Sequence, residues 1–346
     1  MNRYRCVVEY MGGKYDGWQS QTLGTSIQEQ IEAALLRITG KKTNIIASGR
    51  TDAGVNARMQ VFMFDTEREM KERKWMGAIN AFLPDDIHIL DVKLVTFRFH
   101  ARYNVRWKKY AYRINIGSYD VFTKDYEYQC PIKLDFEAMK QAAQYLVGTH
   151  DFTSLNSSPL SEYPDQTRTI QSIDLQENNG HIVITYCGKG FLRYMVRMMS
   201  AQLIEAGRHR IMPQDIEKIL AAKSRTKARR NAPACGLTLE EVNYFEIAAL
   251  DEGGMIREYL QGDDLPTGMT LKETEAEMEN RTYPLHLVMT TRHSQQMLAR
   301  VVIAPGETQI FSVCREGRNE AVSLLVQFRQ WLGMIGLDAG MPVIIR

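Results

Sequence analysis

TNIIASGRTDAGVNARMQVFMFDT, Thr43–Thr66, reads as two strands around one crowded turn. "TNIIAS" is a short apolar, β-prone run and "QVFMFDT" is a second, so each fits a strand. Between them "SGRTDAG", Ser48–Gly54, supplies the Gly, Asp and Thr that close turns. Arg50 stands two residues before Asp52. As a turn former Asp52 needs no further role. As a carboxylate beside a guanidinium it is held ionised, the state that a nucleophile requires at neutral pH. The residues of this stretch leave both readings open.

Outward from that turn the chain reads as an α+β unit. "YRCVVEY" (Tyr4–Tyr10) alternates as a strand and "GGKYDG" (Gly12–Gly17) turns after it. Ile27, Ile31, Ala34, Leu35 and Ile38 share one helical face, with Ser26 to cap and Gly40 to stop the helix. A helix through "EMKERKWMGAINAFL" and a strand "IHILDVKLV" complete the unit. A second unit is organised in the same way, with the strand "KKYAYRINIG", a helix from about Phe136 to Val147, and a hairpin, "IQSIDLQ" to "HIVITYCG", about Asn178-Asn179-Gly180. "FLRYMVRMMSAQLIEAG" is apolar nearly all round and is expected to be a buried helix. "MPQDIEKILAAKS" follows as a helix, the basic loop "RTKARRNAP" comes next, and "CGLTLEEVNYF" supplies a closing strand. This organisation predicts halves at 1–105 and 106–245. An acidic linker at 246–280, helical through "LKETEAEMEN", then leads to a small α/β domain at 281–346, with strands such as "LHLVMTT" and a helix "NEAVSLLVQFRQWLGMIG".

The 346 residues are 44% hydrophobic and 24% charged, the composition of a globular protein and not of a disordered or fibrous one. No apolar run approaches the ~18 residues of a membrane span, and the start "MNRYRCVVEYMGG" lacks a signal-peptide core, so a cytoplasmic protein is expected. The five cysteines, Cys6, Cys130, Cys187, Cys235 and Cys314, are scattered and form no C-x-x-C, which predicts neither disulfides nor zinc. Residues 1–245 carry 34 basic and 27 acidic residues, and residues 246–346 carry 9 and 14. A body of +7 thus precedes a tail of −5. Such a body is suited to an anionic partner, nucleic acid above all.

Within the body, "FHARYNVRWKKYAYR" sets Arg102, Arg106, Lys108, Lys109 and Arg113 among Phe99, Tyr103, Trp107, Tyr110 and Tyr112. Cations interleaved with rings suit backbone contact with base stacking, although most strand aromatics are core. Tyr110 and Tyr112 alternate with Lys109 and Ala111 and therefore share one face. Arg193 and Arg197 lie four apart and are expected on one helix face, where an apolar neighbourhood demands an anionic partner. The run Lys223–Arg230 is either a solvated loop or a phosphate-binding patch. His150 has no second ligand at metal spacing and reads as structural. No Walker motif, dinucleotide fingerprint or nucleophile elbow asks for ATP, NAD or an acyl-enzyme.

Seven blocks occur in the order and at about the separations of one known family. "SGRTDAGV", "EYMGGKYDGWQSQ", "SIQEQIEAAL", "FHARY" with "KKYAYRI", "GTHDFTSL", "FLRYMVRMM" and "APACGLTLEEV" resemble the tRNA pseudouridine synthase A family from Tyr4 to about Phe245. The resemblance implies two α+β halves sharing a central, mostly antiparallel sheet with the active cleft between them, and a homodimer gripping one tRNA. It implies isomerisation of uridine to pseudouridine in the anticodon arm, with neither cofactor nor metal. Carried over by motif, Asp52 is the nucleophile, Tyr110 stacks on the uracil, Arg197 pairs with Asp52, Arg50 fills the space of the flipped base, and Leu237 packs beside that base. Arg102, Arg193 and Lys109, with the Lys223–Arg230 run, are then candidates to contact the RNA backbone. Two alternatives accompany this expectation: an RNA-binding or RNA-folding protein that has lost catalysis, and the same chemistry on rRNA. The sequence departs from the family at Asn56, where His is usual, at Met59, where Gly is usual, and in the acidic tail.

Overall fold

The computed structural model describes residues 1–21, 25–95, 99–161, 163–228 and 230–244 and, beyond them, five strands at 269–273, 285–291, 297–304, 307–312 and 343–345. Apart from 96–104 and 244–245, both α+β halves belong to one compact unit, Met1–Val95 with Val105–Asn243. Its strands are β1 (Asn2–Tyr10), β2 (Ile46–Ala47), β3 (Asn56–Thr66), β4 (Ile87–Val95), β5 (Val105–Asn115), β6 (Tyr128–Gln129), β7 (Gly148–Asp151), β8 (Thr167–Asn178), β9 (His181–Gly188) and β10 (Leu237–Tyr244). Its α-helices are α1 (Ile27–Thr39), α2 (Glu72–Asn80), α3 (Phe136–Gln144), α4 (Met195–Gly207) and α5 (Asp215–Ala221). The strands form one sheet in the order β4-β1-β3-β10-β5-β9-β8-β7, with β2 beside β3 and β6 beside β5. This is a mixed α+β fold built on a mostly antiparallel sheet.

Local chemistry explains the elements that were expected. The Ser26 side chain accepts from the Glu29 backbone N–H and the Glu29 side chain returns to that of Ser26, a capping box worth about 1 kcal/mol. Gly40 ends α1 in the left-handed region at φ 71°, and Ile27, Ile31, Ala34 and Leu35 are buried on its inner face. In the β8–β9 hairpin, Asn178 pairs with His181 across Asn179 (φ 50°) and Gly180 (φ 80°), the two positive φ values that a tight primed turn needs. The first half is filled by rings: Trp75 meets Tyr4 at 5.4 Å and Phe64 at 5.2 Å, and Trp18 meets Phe62 at 6.1 Å. Each such side chain removed from water contributes about 1.5–3 kcal/mol.

One pairing joins the halves and positions the site. β10, from the end of the second half, lies parallel to β3 of the first, Thr238 opposite Asn56 and Leu239 opposite Ala57, and its other neighbour is β5. The turn before β3 and the strand carrying Tyr110 are thereby set on either side of Leu237.

The second compact unit comprises Thr96–Asn104 and Tyr244–Arg346. There the Tyr244 hydroxyl donates to the Ala101 carbonyl at 2.5 Å, and its ring lies 5.1 Å from Phe99. The unit also holds a sheet of β11 (Met269–Glu273), β12 (Leu285–Thr291), β13 (Met297–Ala304), β14 (Glu307–Ser312) and β15 (Val343–Ile345) in sequence order, antiparallel except for the parallel pair β14–β15. The helix expected to begin at Leu271 is corrected at its start: Met269–Glu273 is a strand whose register runs against Leu287–Thr291. Cross-strand pairing with an apolar neighbour outweighs the helix propensity of Leu, Lys and Glu. Residues 274–280 and the helix expected at 319–336 lie outside the described residues.

Candidate active site

Asp52 sits in a loop whose backbone is fixed from below. The Trp18 N–H donates to the Thr51 carbonyl (3.1 Å), the Gly54 N–H to the Tyr15 carbonyl (3.3 Å), and the Val55 N–H to the Asp52 carbonyl itself (3.1 Å). The segment Gly12–Gly17 passes so close that side chains are excluded. A Cβ on Gly12 would stand 2.1 Å from the Val55 carbonyl oxygen, and one on Gly17, already at φ 96°, 2.7 Å from that of Thr51. Gly12→Ala is therefore expected to lower unfolding free energy by about 1–3 kcal/mol. A urea melt reads this directly, and an unchanged midpoint would show that the loop can retreat without cost.

Polar side chains hold the approach to Asp52 from the sheet. Ser48 Oγ donates to Gln60 Oε1 (2.6 Å), Gln60 Nε2 donates to the Gly49 carbonyl (3.0 Å), and Lys108 Nζ donates to the Ser48 carbonyl (2.7 Å). Thr51 Oγ1 and the Tyr10 hydroxyl share a buried hydrogen bond of 2.8 Å. Gln60 was not singled out in the sequence, and Lys108 was named only among the cations interleaved with rings, yet each left a signal. Gln60 is the polar residue directly ahead of the apolar run Val61–Phe64, and Lys108 lies two residues before Tyr110, hence on the same strand face.

The carboxylate meets its partner across the unit. Arg197 Nη1 is 3.6 Å from Asp52 Oδ2, with side-chain exposures of 14% and 18%. Arg197 Nε donates to the Ala232 carbonyl (2.8 Å), which directs the remaining edge of the guanidinium. Burial pushes the Asp52 carboxyl up to about 6, and Arg197 and then Arg193 oppose that rise. The expectation that Arg50 holds Asp52 charged is thus corrected: the cations acting on the carboxyl are these two, while Arg50 is exposed and donates from Nε to Gln19 Oε1 (3.0 Å).

Helix α4 begins later than the spacing of Arg193 and Arg197 predicts. Tyr194 lies before its first residue in the left-handed region, φ 63°, so Arg193 stands outside the helix and the two guanidinium groups do not share a helical face. The sharp corner nevertheless brings both to the Tyr194 ring, at 5.0 and 5.3 Å.

Tyr110 is buried at 8% exposure, opposite Tyr186 in the β5–β9 pairing, with Phe191 edge-on at 5.2 Å. Burial, with the charges of Tyr10 and Asp52 adding to it, raises its phenol well above the ordinary range and keeps it neutral. Tyr112, on the same face, donates to the Pro233 carbonyl (2.9 Å). Its ring leaves Gly236 no room for a Cβ, which would stand 2.8 Å away. Leu237 follows at once, 4% exposed.

The remaining candidates are dispersed. Lys109 lies on the strand face opposite Tyr110, 3.4 Å from Glu241 and over the Trp107 ring at 5.1 Å. Arg102 is exposed in the second compact unit, its backbone N–H donating to His100 Nδ1 (3.1 Å). In the basic run, Lys223 pairs with Asp151 (3.0 Å) and Arg230 with Glu205 (2.8 Å), a carboxylate that Arg208 and Arg210 also approach. His150 bonds the Val147 carbonyl (2.9 Å) beside Phe152, a structural placement. Asn56 is a buried tie: its Oδ1 accepts from the Gly12 N–H (2.7 Å), and its Nδ2 donates to the Asp125 (3.1 Å) and Cys235 (3.2 Å) carbonyls. Met59 is exposed.

Among the described residues Cys6, Cys130, Cys187 and Cys235 are free thiols, and no three His, Cys, Asp or Glu side chains converge as metal ligands do. No described helix is long and apolar enough to cross a membrane. The arrangement is a desolvated carboxylate held by a guanidinium beside a neutral aromatic platform, suited to nucleophilic attack on a planar, uncharged group.

Comparison with known proteins identifies the class. The family model described as tRNA pseudouridine synthase matches residues 6–104 and 142–245. A tRNA pseudouridine synthase A 1 of Bacillus cereus is 41% identical over 246 residues, 70% of this chain and 99% of the relative. A tRNA pseudouridine synthase A of Brevibacillus brevis is 43% identical over 245 residues, 70% and 100% of the two chains, and one of an Exiguobacterium species is 42% identical over 247 residues, 71% and 100%. These relatives are matched over nearly their whole length, and the family model covers the residues on either side of the Asp52–Arg197 pair, so the chain belongs to the tRNA pseudouridine synthase family and is an isomerase of that class.

Proposed function

We propose that this protein converts uridine to pseudouridine in the anticodon stem-loop of tRNA, with Asp52 as nucleophile. The observation that supports this reading most is the Asp52–Arg197 pair beside the buried Tyr110. With its carboxyl at about 6, Asp52 is mostly ionised at neutral pH yet stripped of much of its hydration. Such an oxygen attacks the flipped-out nucleotide at C1′ of the ribose or at the uracil ring. The C1′–N1 bond breaks, the uracil turns, and C5 bonds to C1′ as the attack on the nucleotide is reversed. The proton then leaves C5 and N1 takes one up, so atoms balance without any redox partner.

Tyr110 supplies the face on which the uracil stacks and lies where the C5 proton departs, and Leu237 packs at the ring's other side. Arg50, exposed at the head of the loop, fills the gap in the RNA stem. Flipping costs a few kcal/mol, which phosphate contacts from Arg193, Arg102 and the exposed part of the Lys223–Arg230 run offset. Lys109, Lys223 and Arg230 contribute less, because Glu241, Asp151 and Glu205 already engage them. We further infer a cytoplasmic homodimer, with 246–280 as a largely linking segment and the rest of the tail as an accessory region.

The test is an unmodified anticodon arm carrying tritium at uridine C5. Wild-type protein should release the label and leave pseudouridine at a defined anticodon-arm position, mapped by mass spectrometry. Salt-sensitive binding without release would instead support an RNA-binding protein that has abandoned catalysis. Release from rRNA but not from tRNA would move the same chemistry to another substrate.

A further inference from the structure

We propose that Tyr194 is a positioning residue: held in a left-handed conformation before α4, it gathers the Arg193 and Arg197 guanidinium groups about its ring and aims both at Asp52. The proposal rests on Asp52 being the working carboxylate. A bulky residue at φ 63° is strained, and such a conformation persists only where its surroundings over-determine it.

Here they do. The Ser157 N–H donates to the Arg193 carbonyl (2.9 Å), the Arg193 N–H donates to Ser158 Oγ (3.2 Å), and the Met198 N–H donates to the Tyr194 carbonyl (2.9 Å). The backbone is therefore pinned on both sides of the corner. The consequence lies in the side chains. Arg193 Cζ is 5.0 Å and Arg197 Cζ 5.3 Å from the centre of the Tyr194 ring, and Arg193 Nη2 reaches the Tyr194 hydroxyl at 3.4 Å. Two like charges on one ring repel each other. The ring's negative faces and a nearby anion offset that repulsion, and Asp52 is the anion, 3.6 Å from Arg197.

Both arginines act on the Asp52 carboxyl even though Arg193 is exposed. Of the other titratable groups, Tyr110 on β5 feels the Asp52 charge, Tyr10 on β1 and Lys108 on β5 bond Thr51 and the Ser48 carbonyl of its loop, and Arg50 of that loop turns to Gln19 Oε1. The cations over the Tyr194 ring are Arg193 and Arg197. Removing the ring should release Arg193 towards solvent, loosen Arg197, and leave the rest of the carboxyl's surroundings in place.

The test titrates the Asp52 carboxyl by carbon-13 NMR in the full-length protein, with Asp52→Asn identifying the resonance. Tyr194→Asn keeps a residue that accepts positive φ but lacks the ring, whereas Tyr194→Phe keeps the ring. Tyr194→Asn is expected to titrate about one unit above wild type, a tenfold change in the ionisation constant, and Tyr194→Phe close to wild type. The acid limb of kcat/KM should move up with it, so that the Asn variant recovers activity on the alkaline side. A folded Tyr194→Asn that titrates with wild type, or a Phe variant that moves as far as Asn, would overturn the proposal. Because the titration uses no RNA, a wild type that forms no pseudouridine would count against the functional reading alone.

Discussion

Asp52→Asn is expected to cut tritium release from uridine by at least ~10⁴-fold while leaving RNA affinity within a few-fold. A loss of that size corresponds to about 5.5 kcal/mol of barrier and is what removing a covalent nucleophile costs when the surrounding site is intact. Asn keeps the shape of the side chain, and the loop beneath is held by backbone bonds from Trp18, Gly54 and Val55 that the substitution does not touch. Release by the variant within tenfold of wild type would remove Asp52 from the mechanism.

The same substitution has a thermodynamic signature. The folded carboxyl titrates at about 6 against an ordinary 3.8, so the group favours folding at low pH and that contribution is lost as pH rises through about 6. At 1.36 kcal/mol per unit the loss is at most about 3 kcal/mol, reduced by the solvent that reaches the side chain. Urea melts at pH 4.5 and 7.5 should therefore differ less in Asp52→Asn than in wild type. Equal pH dependence in both proteins would show that Asp52 carries no such strain. A protein that spends stability to hold a desolvated carboxylate is expected at an active site, where function and stability compete.

Arg197→Met is expected to lower kcat by roughly 10²–10³-fold, the usual cost of removing one preorganised electrostatic partner. It should also move the acid limb of the rate profile above pH 6, because the first of the two cations opposing desolvation is gone. Arg197→Lys restores charge but not the geometry that places one edge on Ala232 and another on Asp52, so it should recover only part of the loss. Steady-state rates with a single anticodon arm over a range of pH separate these outcomes. A Met variant with wild-type kcat would make the pair structural.

Much of the fold was open to reading from local pattern. The Ser26–Glu29 capping box, Gly40 at the end of α1 and the Asn-Gly turn of the hairpin are each decided by residues within a few positions of one another. The demand of Arg197 for an anion also followed from its apolar neighbours, since an unpaired guanidinium there would be costly. Only the family resemblance pointed to Asp52; the identity of that anion did not follow from the residues around Arg197. Nor did the start of α4, because the strain at Tyr194 is offset by bonds to Ser157 and Ser158, distant in sequence. Asn56 illustrates the same limit: a residue that reads only as a departure from the family is a buried tie among three backbone segments.

The sequence by itself therefore determined the α+β elements, the turn at Asp52, the basic character of the body and the family it resembles. Tertiary structure decided that β10 lies parallel to β3, that Arg50 turns to Gln19 while Arg193 acts on Asp52 beside Arg197, that Lys108 reaches the Ser48 carbonyl, and that Met269–Glu273 is a strand. The physical reason is range. Helix periods, caps and turns are written in neighbouring residues, whereas desolvation and charge pairing depend on which distant side chains packing brings within a few ångströms.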